Sequence, residues 1–244
     1  MGVVGMPEIQ DVRRRRFHRL AGAGLLAAML PTASRANTLV GGWITIKIPP
    51  PPDVAAKLKN LTARVDARQP LMETSNERPI RKYREFLDQL AAKNLSQMDQ
   101  LKAVNTYVNA NVARRKDGPE DVWAEAYTTL KEGGDCEDIA LVKRWGLKRL
   151  KYARENLFLV MGMTLLTRPP EGHALLAVRL SDKVFQVMYN LVYSIEDATS
   201  LRYFEPAYAV NEFGFWRVDR VDHVGGDYWQ EAYLRAVKRQ GGKA

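Results

Sequence analysis

The chain has 244 residues, of which 46% are hydrophobic and 9% aromatic, so it can bury a core and is not wholly disordered. Its only cysteine, Cys136, excludes an internal disulfide framework. The formal net charge is +9, and residues 37–244 alone carry about +5. A charge of that size does not by itself indicate nucleic-acid binding, so we expect no nucleic-acid partner.

The first 36 residues have the three-part layout of a secretory signal peptide. A basic block at residues 13–16 precedes an apolar run at residues 20–30, and small residues follow up to Ala36. The run is too short for a comfortable membrane span. The pattern predicts export with cleavage after Ala36, by the general or the twin-arginine route; the alternative is an ordinary amphipathic helix.

Residues 37–79 differ in character from the rest of the chain. The stretch "TLVGGWITIKI" predicts a short strand, and the four prolines at residues 49–52 predict an extended spacer. Residues 53–92 favour helix, with interruptions near Pro70 and Pro79. We therefore expect three parts: a signal peptide (1–36), an N-terminal extension with a Pro-rich spacer (37–79), and the main domain (80–244).

The main domain is predicted to be α+β, with helices first and an antiparallel meander after them. Ser96 and Asp99 are spaced as a capping box that begins a helix. Two further helices are expected over residues 122–132 and 136–153. The period then changes, and strands are expected over residues 156–166, 173–180, 184–195 and 213–221.

Cys136 occupies a position that favours nucleophilic chemistry. It follows Gly133-Gly134 and begins a helix, where the dipole and free backbone N–H groups stabilise a thiolate and can form an oxyanion hole. Of the three histidines, His173 lies at the start of a strand, from which it can reach a helix N-terminus packed on the sheet. Cys136 and His173 are therefore the predicted catalytic pair; the alternatives are a small buried cysteine and a histidine satisfied by backbone groups.

The segments "GGDCEDIALVKRWGLKRL" and "GHALLAVRL" resemble the bacterial transglutaminase-like cysteine proteinases, the family of the LapG-type periplasmic proteases. The segments "QMDQLKAVNTYVNANV" and "EDVWAEAYTTLKEGGDCED" are similar to the same family, so the resemblance spans residues 80–195. It implies a papain- or transglutaminase-like core, a catalytic helix packed on an antiparallel sheet, and a periplasmic location. If the protein is such an enzyme, Trp123 is a candidate wall of the cleft, and packing in the core is at least as good an interpretation.

The same resemblance implies a calcium site beside the cysteine. Asp135 and Glu137 would be the ligands, with Asp138 as a third. A hard cation takes several carboxylate oxygens, and it would cancel the negative charge that opposes a thiolate. The alternative is a solvated first helical turn, in which acidic residues are favoured by the dipole.

The resemblance breaks at the third member of the expected Cys-His-Asp triad. The family pattern Leu-Asp-Asn-Leu corresponds here to Met188-Tyr189-Asn190-Leu191, so Tyr189 stands in the place of the aspartate. Asn190 could orient the imidazole instead, if a bulge turned it to the same side. Otherwise Cys136 and His173 form a weakened dyad, or the protein has lost activity and binds a partner.

Together these observations predict an exported, calcium-dependent cysteine endopeptidase. By resemblance, its substrate would be a large bacterial surface adhesin, and an inner-membrane cyclic-di-GMP receptor would sequester it. The alternatives are a catalytically impaired binding module and acyl transfer to an amine. A fourth hypothesis, binding to an anionic surface, rests on helix residues that we instead expect to form a solvated face: Lys143, Arg144, Lys148, Lys151 and Arg154.

Overall fold

The structure is a computed structural model that describes residues 38–40, 43–118, 121–181, 184–220 and 228–239. The expected signal peptide lies outside the described residues. The fold is α+β, as predicted. The described helices are α1 (Pro52–Thr74), α2 (Arg78–Ala92), α3 (Gln97–Asn111), α4 (Ala126–Glu132), α5 (Cys136–Arg149) and α6 (Tyr228–Arg239). The described strands are β1 (Thr38–Val40), β2 (Trp43–Ile48), β3 (Leu157–Thr164), β4 (Glu171–Ser181), β5 (Val184–Met188), β6 (Ile195–Asp197), β7 (Phe204–Asn211) and β8 (Gly214–Arg220).

The strands form one antiparallel sheet in the order β1-β2-β8-β7-β3-β4-β5-β6. The predicted meander holds for β3, β4 and β5; β6 was not predicted, and the chain then crosses back so that β7 pairs with β3. Strand β7 was not predicted from the sequence because Pro206 interrupts its pattern. In the sheet Pro206 pairs with Gly162 at a register shift, where a bulge relaxes the hydrogen-bonding demand on the missing N–H.

The sheet separates two apolar clusters, because alternate residues of each strand face opposite sides. On one side Leu157 and Leu159 of β3 pack with buried residues of α2, α3 and α5. On the other side Phe158 and Val160 pack with Trp43 and with residues of β5 and β7. Strand β3 is buried on both faces, which explains its continuous apolar sequence "LFLVMGMT".

Two predicted boundaries differ from the structure for identifiable reasons. Helix α1 runs through Pro70 without a break, because Leu61 before it and Met72 after it are both held in the core. The strand expected over residues 184–195 ends at Met188. Beyond it, Asn109 of α3 and Lys143 of α5 donate hydrogen bonds to the Tyr189 carbonyl oxygen in place of a strand partner. Pro79 lies in the first turn of α2, where a proline is tolerated.

Residues 43–74, which fall in the predicted extension, contact the rest of the described chain extensively. Strand β2 pairs with β8 along its length, from Trp43 opposite Arg220 to Ile48 opposite Phe215. Helix α1 packs on α4. The division of the chain at residue 79 stays a prediction, but the described part of this segment completes the sheet and the core. Among the described residues, no helix combines the length and apolar character needed to span a membrane.

Candidate active site

The predicted position of Cys136 at the start of a helix is confirmed, since α5 begins there. Gly133 ends α4 with a φ of +83°, and a Cβ at this position would lie 2.6 Å from the Ala113 carbonyl oxygen. Only glycine avoids both penalties. Asp135 and Asp138 then form a capping box, in which the Asp135 backbone N–H donates to Asp138 Oδ2 at 3.4 Å. The turn therefore fixes the cysteine at the positive end of the α5 dipole.

The sulfur of Cys136 makes two hydrogen bonds. Its thiol donates to Glu137 Oε2 at 3.1 Å, and the backbone N–H of Ala174 donates to Sγ at 3.3 Å. Burial, followed by the charges of Glu137 and Asp135, raises the pKa of the thiol well above its usual range. The group is therefore a thiol at neutral pH, and its proton is directed at a side-chain oxygen of Glu137.

His173 lies near the start of β4, next to the residue that contacts the sulfur. Its ring stacks on the ring of Tyr189, with the centroids 4.9 Å apart and the planes 24° from parallel. The imidazole Nε2 is buried without a hydrogen-bond partner, and no hydrogen bond joins His173 to Cys136 in the described structure. Burial, followed by the charges of Lys143 and Arg114, lowers the pKa of His173 to about 4. The ring is therefore a neutral imidazole at pH 7.

Tyr189 contacts the imidazole with its ring face rather than its hydroxyl group. The hydroxyl donates a hydrogen bond to Thr164 Oγ1, on the neighbouring strand β3. The side chain is buried, and burial raises the pKa of the phenol, so it carries no charge to stabilise an imidazolium. Tyr189 packs against His173 and supplies neither the hydrogen bond nor the charge of the expected aspartate.

The side chain of Asn190 bridges the two segments that carry Cys136 and His173. Its Nδ2 donates to the carbonyl oxygen of Cys136 at 2.5 Å and to that of Ala174 at 3.1 Å. Its Oδ1 accepts a hydrogen bond from Lys143 Nζ at 2.5 Å. Asn190 therefore binds the backbone of Cys136 and of the residue after His173. No hydrogen bond joins it to the imidazole in the described structure.

The expectation that Lys143 lies on a solvated helix face is wrong. Its side chain is fully buried, and burial lowers its pKa well below the usual range of a lysine. Besides Asn190, Nζ donates to the carbonyl oxygens of Tyr189 at 3.3 Å and Met188 at 3.5 Å. Lys143 follows Cys136 by seven residues, which is two helical turns, so both residues lie on the face of α5 that meets β4 and β5.

Five carboxylates gather beside the cysteine, and two of them were not predicted. Ligand atoms of Asp117, Asp121 and Glu137 lie within 4.8 Å of one another, and so do those of Asp117, Asp135 and Asp138. The sequence reasoning missed Asp117 and Asp121 because they lie in the loop after α3, more than a dozen residues before the cysteine. Their only sequence signal is the occurrence of acidic residues in the segment "RRKDGPED", whose charge its basic residues balance.

Backbone contacts bring that loop to the cysteine. Gly134 N–H donates to the Ala113 carbonyl oxygen at 3.1 Å, and Arg115 N–H donates to the Gly134 carbonyl oxygen at 2.9 Å. Ala124 N–H donates to Asp138 Oδ1 at 2.7 Å. The loop is thus held at both ends against the turn that begins α5. Trp123, one residue before Ala124, is buried in the helical core, so its environment is that of a packing residue.

The acidic cluster has the donor chemistry of a calcium site. All five side chains offer hard carboxylate oxygens. Burial raises the pKa of Glu137 to about 9, with contributions from a hydrogen bond and the charge of Asp135, and burial raises the pKa of Asp138 to about 7. A divalent cation would offset this crowding of negative charge. The residues present therefore fit calcium.

A lone thiol at the N-terminus of a helix packed on an antiparallel sheet is the arrangement of a transglutaminase-like cysteine peptidase. Residues 80–216 match the family model described as bacterial transglutaminase-like cysteine proteinase. The match covers more than half of the chain, and the protein belongs to this family of cysteine peptidases.

Solved structures of Legionella pneumophila LapG have the same fold. The calcium-bound form matches with a TM-score of 0.53 at 20% identity, over 72% of this chain and 98% of that one. The EGTA-treated form matches with a TM-score of 0.53 at 20% identity, over 70% and 97%. A third LapG structure matches with a TM-score of 0.52 at 21% identity, over 70% and 95%. No curated protein matches the chain significantly.

Proposed function

We propose that the protein is an exported, calcium-dependent cysteine endopeptidase in which Cys136 is the nucleophile and His173 the general base. The observation that carries the proposal is the contact between the Cys136 sulfur and the backbone N–H of Ala174. This contact holds the start of α5 against the strand residue next to His173. A small side-chain movement would then bring the imidazole into contact with the thiol. Catalytic hydrogen bonds are often long in an enzyme without substrate.

The proposed reaction is acyl transfer to the sulfur followed by hydrolysis. The thiol proton of Cys136 passes to His173 while the sulfur attacks the peptide carbonyl carbon. The backbone N–H of Cys136 stabilises the oxyanion. The carbon–nitrogen bond breaks, His173 returns the proton to the leaving amine, and a thioester remains. Water, deprotonated by His173, then attacks the thioester; the carbon–sulfur bond breaks, the acid is released, and His173 returns the proton to the Cys136 sulfur.

Calcium would be held by Asp117, Asp135 and Glu137, with Asp121 and Asp138 beside them. Bound there, it would supply positive charge next to the sulfur and lower the pKa of the thiol. Glu137 would also be drawn towards the cation and would compete less for the thiol proton that it accepts in this structure. The fold match to calcium-bound and EGTA-treated structures of Legionella pneumophila LapG supports the proposal of this ion.

Peptide-bond cleavage can be tested without knowing the natural substrate. The mature protein is incubated with calcium and a proteome-derived peptide library, and mass spectrometry identifies new amino termini. We expect new termini from the wild-type protein and none from Cys136→Ala or His173→Ala. Addition of a primary amine distinguishes hydrolysis from transfer, because a transferase would attach the amine to the new carboxyl end. Absence of cleavage by the wild-type protein would contradict the proposal.

Calcium binding is tested separately by calorimetry and thermal unfolding. At a calcium concentration 100 times Kd, binding to the native state stabilises it by about 2.7 kcal/mol, which we expect to raise Tm by roughly 5–10 °C. Asp117→Asn and Glu137→Gln should each weaken binding, whereas Glu85→Gln, an exposed carboxylate on α2, should not. An unchanged Tm and no binding heat in the wild-type protein would exclude the calcium site.

The substrate, partner and location follow from the family resemblance alone. We propose that the substrate is a large bacterial surface adhesin, that the protein works in the periplasm, and that an inner-membrane cyclic-di-GMP receptor sequesters it. Co-expression with such an adhesin, followed by detection of adhesin released from cells, tests the first part. Retention of the adhesin on cells that contain an active protein would contradict it.

A catalytically impaired binding module is a second candidate, and the stacking of Tyr189 on His173 favours it. In that case the protein would keep the fold and the calcium site without cleaving peptides. Such a module would bind a protein partner with an affinity that Cys136→Ala does not change. The peptidase hypothesis instead predicts that this substitution stabilises a complex with uncleaved substrate.

A further inference from the structure

The hydrogen bonds beneath the cysteine form a closed circuit that connects α5 with β4. Ala174 N–H binds the Cys136 sulfur, the Ala174 carbonyl oxygen accepts from Asn190, and the same Asn190 amide donates to the Cys136 carbonyl oxygen. The circuit therefore joins the residue that carries the thiol to the strand that carries His173. Both N–H bonds of the Asn190 amide are used, and the side chain is 2% exposed.

Lys143 fixes the orientation of that amide. An asparagine amide can rotate by half a turn and exchange its oxygen and nitrogen with almost no change of shape. Here the buried Lys143 Nζ donates to Oδ1 at 2.5 Å, and the exchanged orientation would place the amide N–H groups against this donor. The remaining donors of Lys143 take the carbonyl oxygens of Met188 and Tyr189 and hold the end of β5 in place.

No carboxylate in the described part of the chain forms an ion pair with Lys143. Leaving a lysine buried without a counter-charge is unfavourable unless every donor is satisfied. A methionine or leucine would fill the same space at lower cost. The donors of Lys143 converge on Asn190 and on the residues beside it, which indicates a role in the site rather than in packing.

We propose that Lys143 and Asn190 act together as a positioning pair that sets the separation of Cys136 and the His173 strand. The pair replaces the positional role of a third triad member, while the place of that member is occupied by Tyr189. It acts through the backbone and does not touch the reacting atoms. This inference rests on the proposed peptidase mechanism for its consequence, but its geometric content can be measured without catalysis.

The test uses the mature, calcium-treated protein with Lys143→Met, Asn190→Leu and the double variant. Lys148→Met is the control, because Lys148 lies on the same helix and pairs with Glu212 at the surface. Two quantities are measured: the iodoacetamide alkylation rate of Cys136, and the amide proton chemical shift of Ala174, which reports its hydrogen bond to the sulfur. A loss of global stability alone would not shift this one resonance in a folded protein.

We expect each single variant to slow alkylation about tenfold to a hundredfold and to move the Ala174 amide resonance upfield. The double variant should be no slower than the worse single variant, because the two residues act as one unit. The control should leave both quantities unchanged. Unchanged rates and shifts in the two single variants, or losses that multiply in the double variant, would overturn the proposal.

If Lys143→Met fails to fold, Asn190→Asp decides the matter. It keeps the size of the side chain and the acceptor for Lys143 but removes both donors, so it should fold, slow the alkylation and shift the Ala174 resonance. A folded Asn190→Asp protein with wild-type behaviour would overturn the positioning role. A wild-type protein whose Cys136 reacts no faster than free cysteine would contradict the peptidase mechanism, and the Ala174 resonance would still decide whether the pair positions the strand.

Discussion

At the scale of single residues, the site holds the Cys136 thiol and the His173 imidazole in uncharged forms. Burial and neighbouring carboxylates raise the pKa of the Cys136 thiol, whereas burial and two nearby cations lower the pKa of His173 to about 4. Without calcium, proton transfer from the Cys136 sulfur to the His173 imidazole is therefore unfavourable in free energy. Positive charge near the sulfur and negative charge near the imidazole would each lower that barrier.

Substitution Tyr189→Asp supplies the negative charge. A carboxylate beside His173 stabilises the imidazolium, so we expect the pKa of His173 to rise and the alkylation of Cys136 to accelerate about tenfold or more. Tyr189→Phe is the matched control, because it keeps the stacked ring and loses only the hydroxyl bond to Thr164. NMR titration of the imidazole and the alkylation rate provide the measurements. Equal behaviour of the Asp and Phe variants would show that charge at this position does not limit reactivity.

Some residues of the site could be predicted from the sequence, and others could not. Cys136 and His173 could be found because a lone cysteine after two glycines and a histidine at a strand start are local patterns. Lys143 could not be found, because a lysine on a helix is normally solvated and its burial against residues 188–190 depends on the tertiary fold. Asp117 and Asp121 depend in the same way on a loop whose path is set by distant contacts.

At the scale of elements, helix α3 fixes the irregular segment that follows β5. Asn105 donates to the carbonyl oxygens of Val192 and Tyr193 at 3.2 and 3.1 Å, and Asn109 donates to those of Tyr189 and Val192 at 3.0 and 2.9 Å. These side chains replace the strand partner that the segment lacks. The sequence predicted strand here because the apolar pattern continues, and it gave no indication that two asparagines would end the ladder.

Asn105→Ala should destabilise the protein by about 1–3 kcal/mol, since it removes a fully buried side chain that donates to the carbonyl oxygens of Val192 and Tyr193. We also expect slower alkylation of Cys136, because Asn190 lies in the segment that is released. Asn111→Ala, which removes only a bond to Tyr107 on the exposed side of the same helix, should change stability by less than about 0.5 kcal/mol. Urea unfolding provides the measurement, and equal effects of the two substitutions would refute this account of α3.

At the scale of the whole molecule, the family match begins at residue 80, but the described core also includes residues before that position. Strand β2 covers the edge of β8, and α1 contributes Leu61 and Met72 to the main cluster. The helical and strand content of the main domain could be predicted from periodicity. The crossing of β7 and the pairing of β2 with β8 could not, because both join segments far apart in the chain.

Removal of residues 1–79 should therefore do more than shorten the protein. It exposes the edge of β8 and uncovers apolar surface beneath α1, so we expect a lower Tm and self-association of the remaining chain. Removal of residues 1–36 alone is the control and should leave both properties unchanged. Thermal unfolding and size-exclusion chromatography measure them. A monomeric chain from residue 80 with the Tm of the control would show that the predicted extension is dispensable.

The most direct test of the central claim is the iodoacetamide alkylation rate of Cys136 in the mature protein, with calcium, with a chelator, and in the His173→Ala variant. We predict alkylation much faster than that of free cysteine when calcium is present, slower after chelation, and slow in the variant under both conditions. That result means that His173 activates Cys136 despite Tyr189 and that the acidic cluster is a metal site. A slow rate that neither calcium nor the substitution changes would contradict the peptidase mechanism and leave a binding protein with the fold of an enzyme.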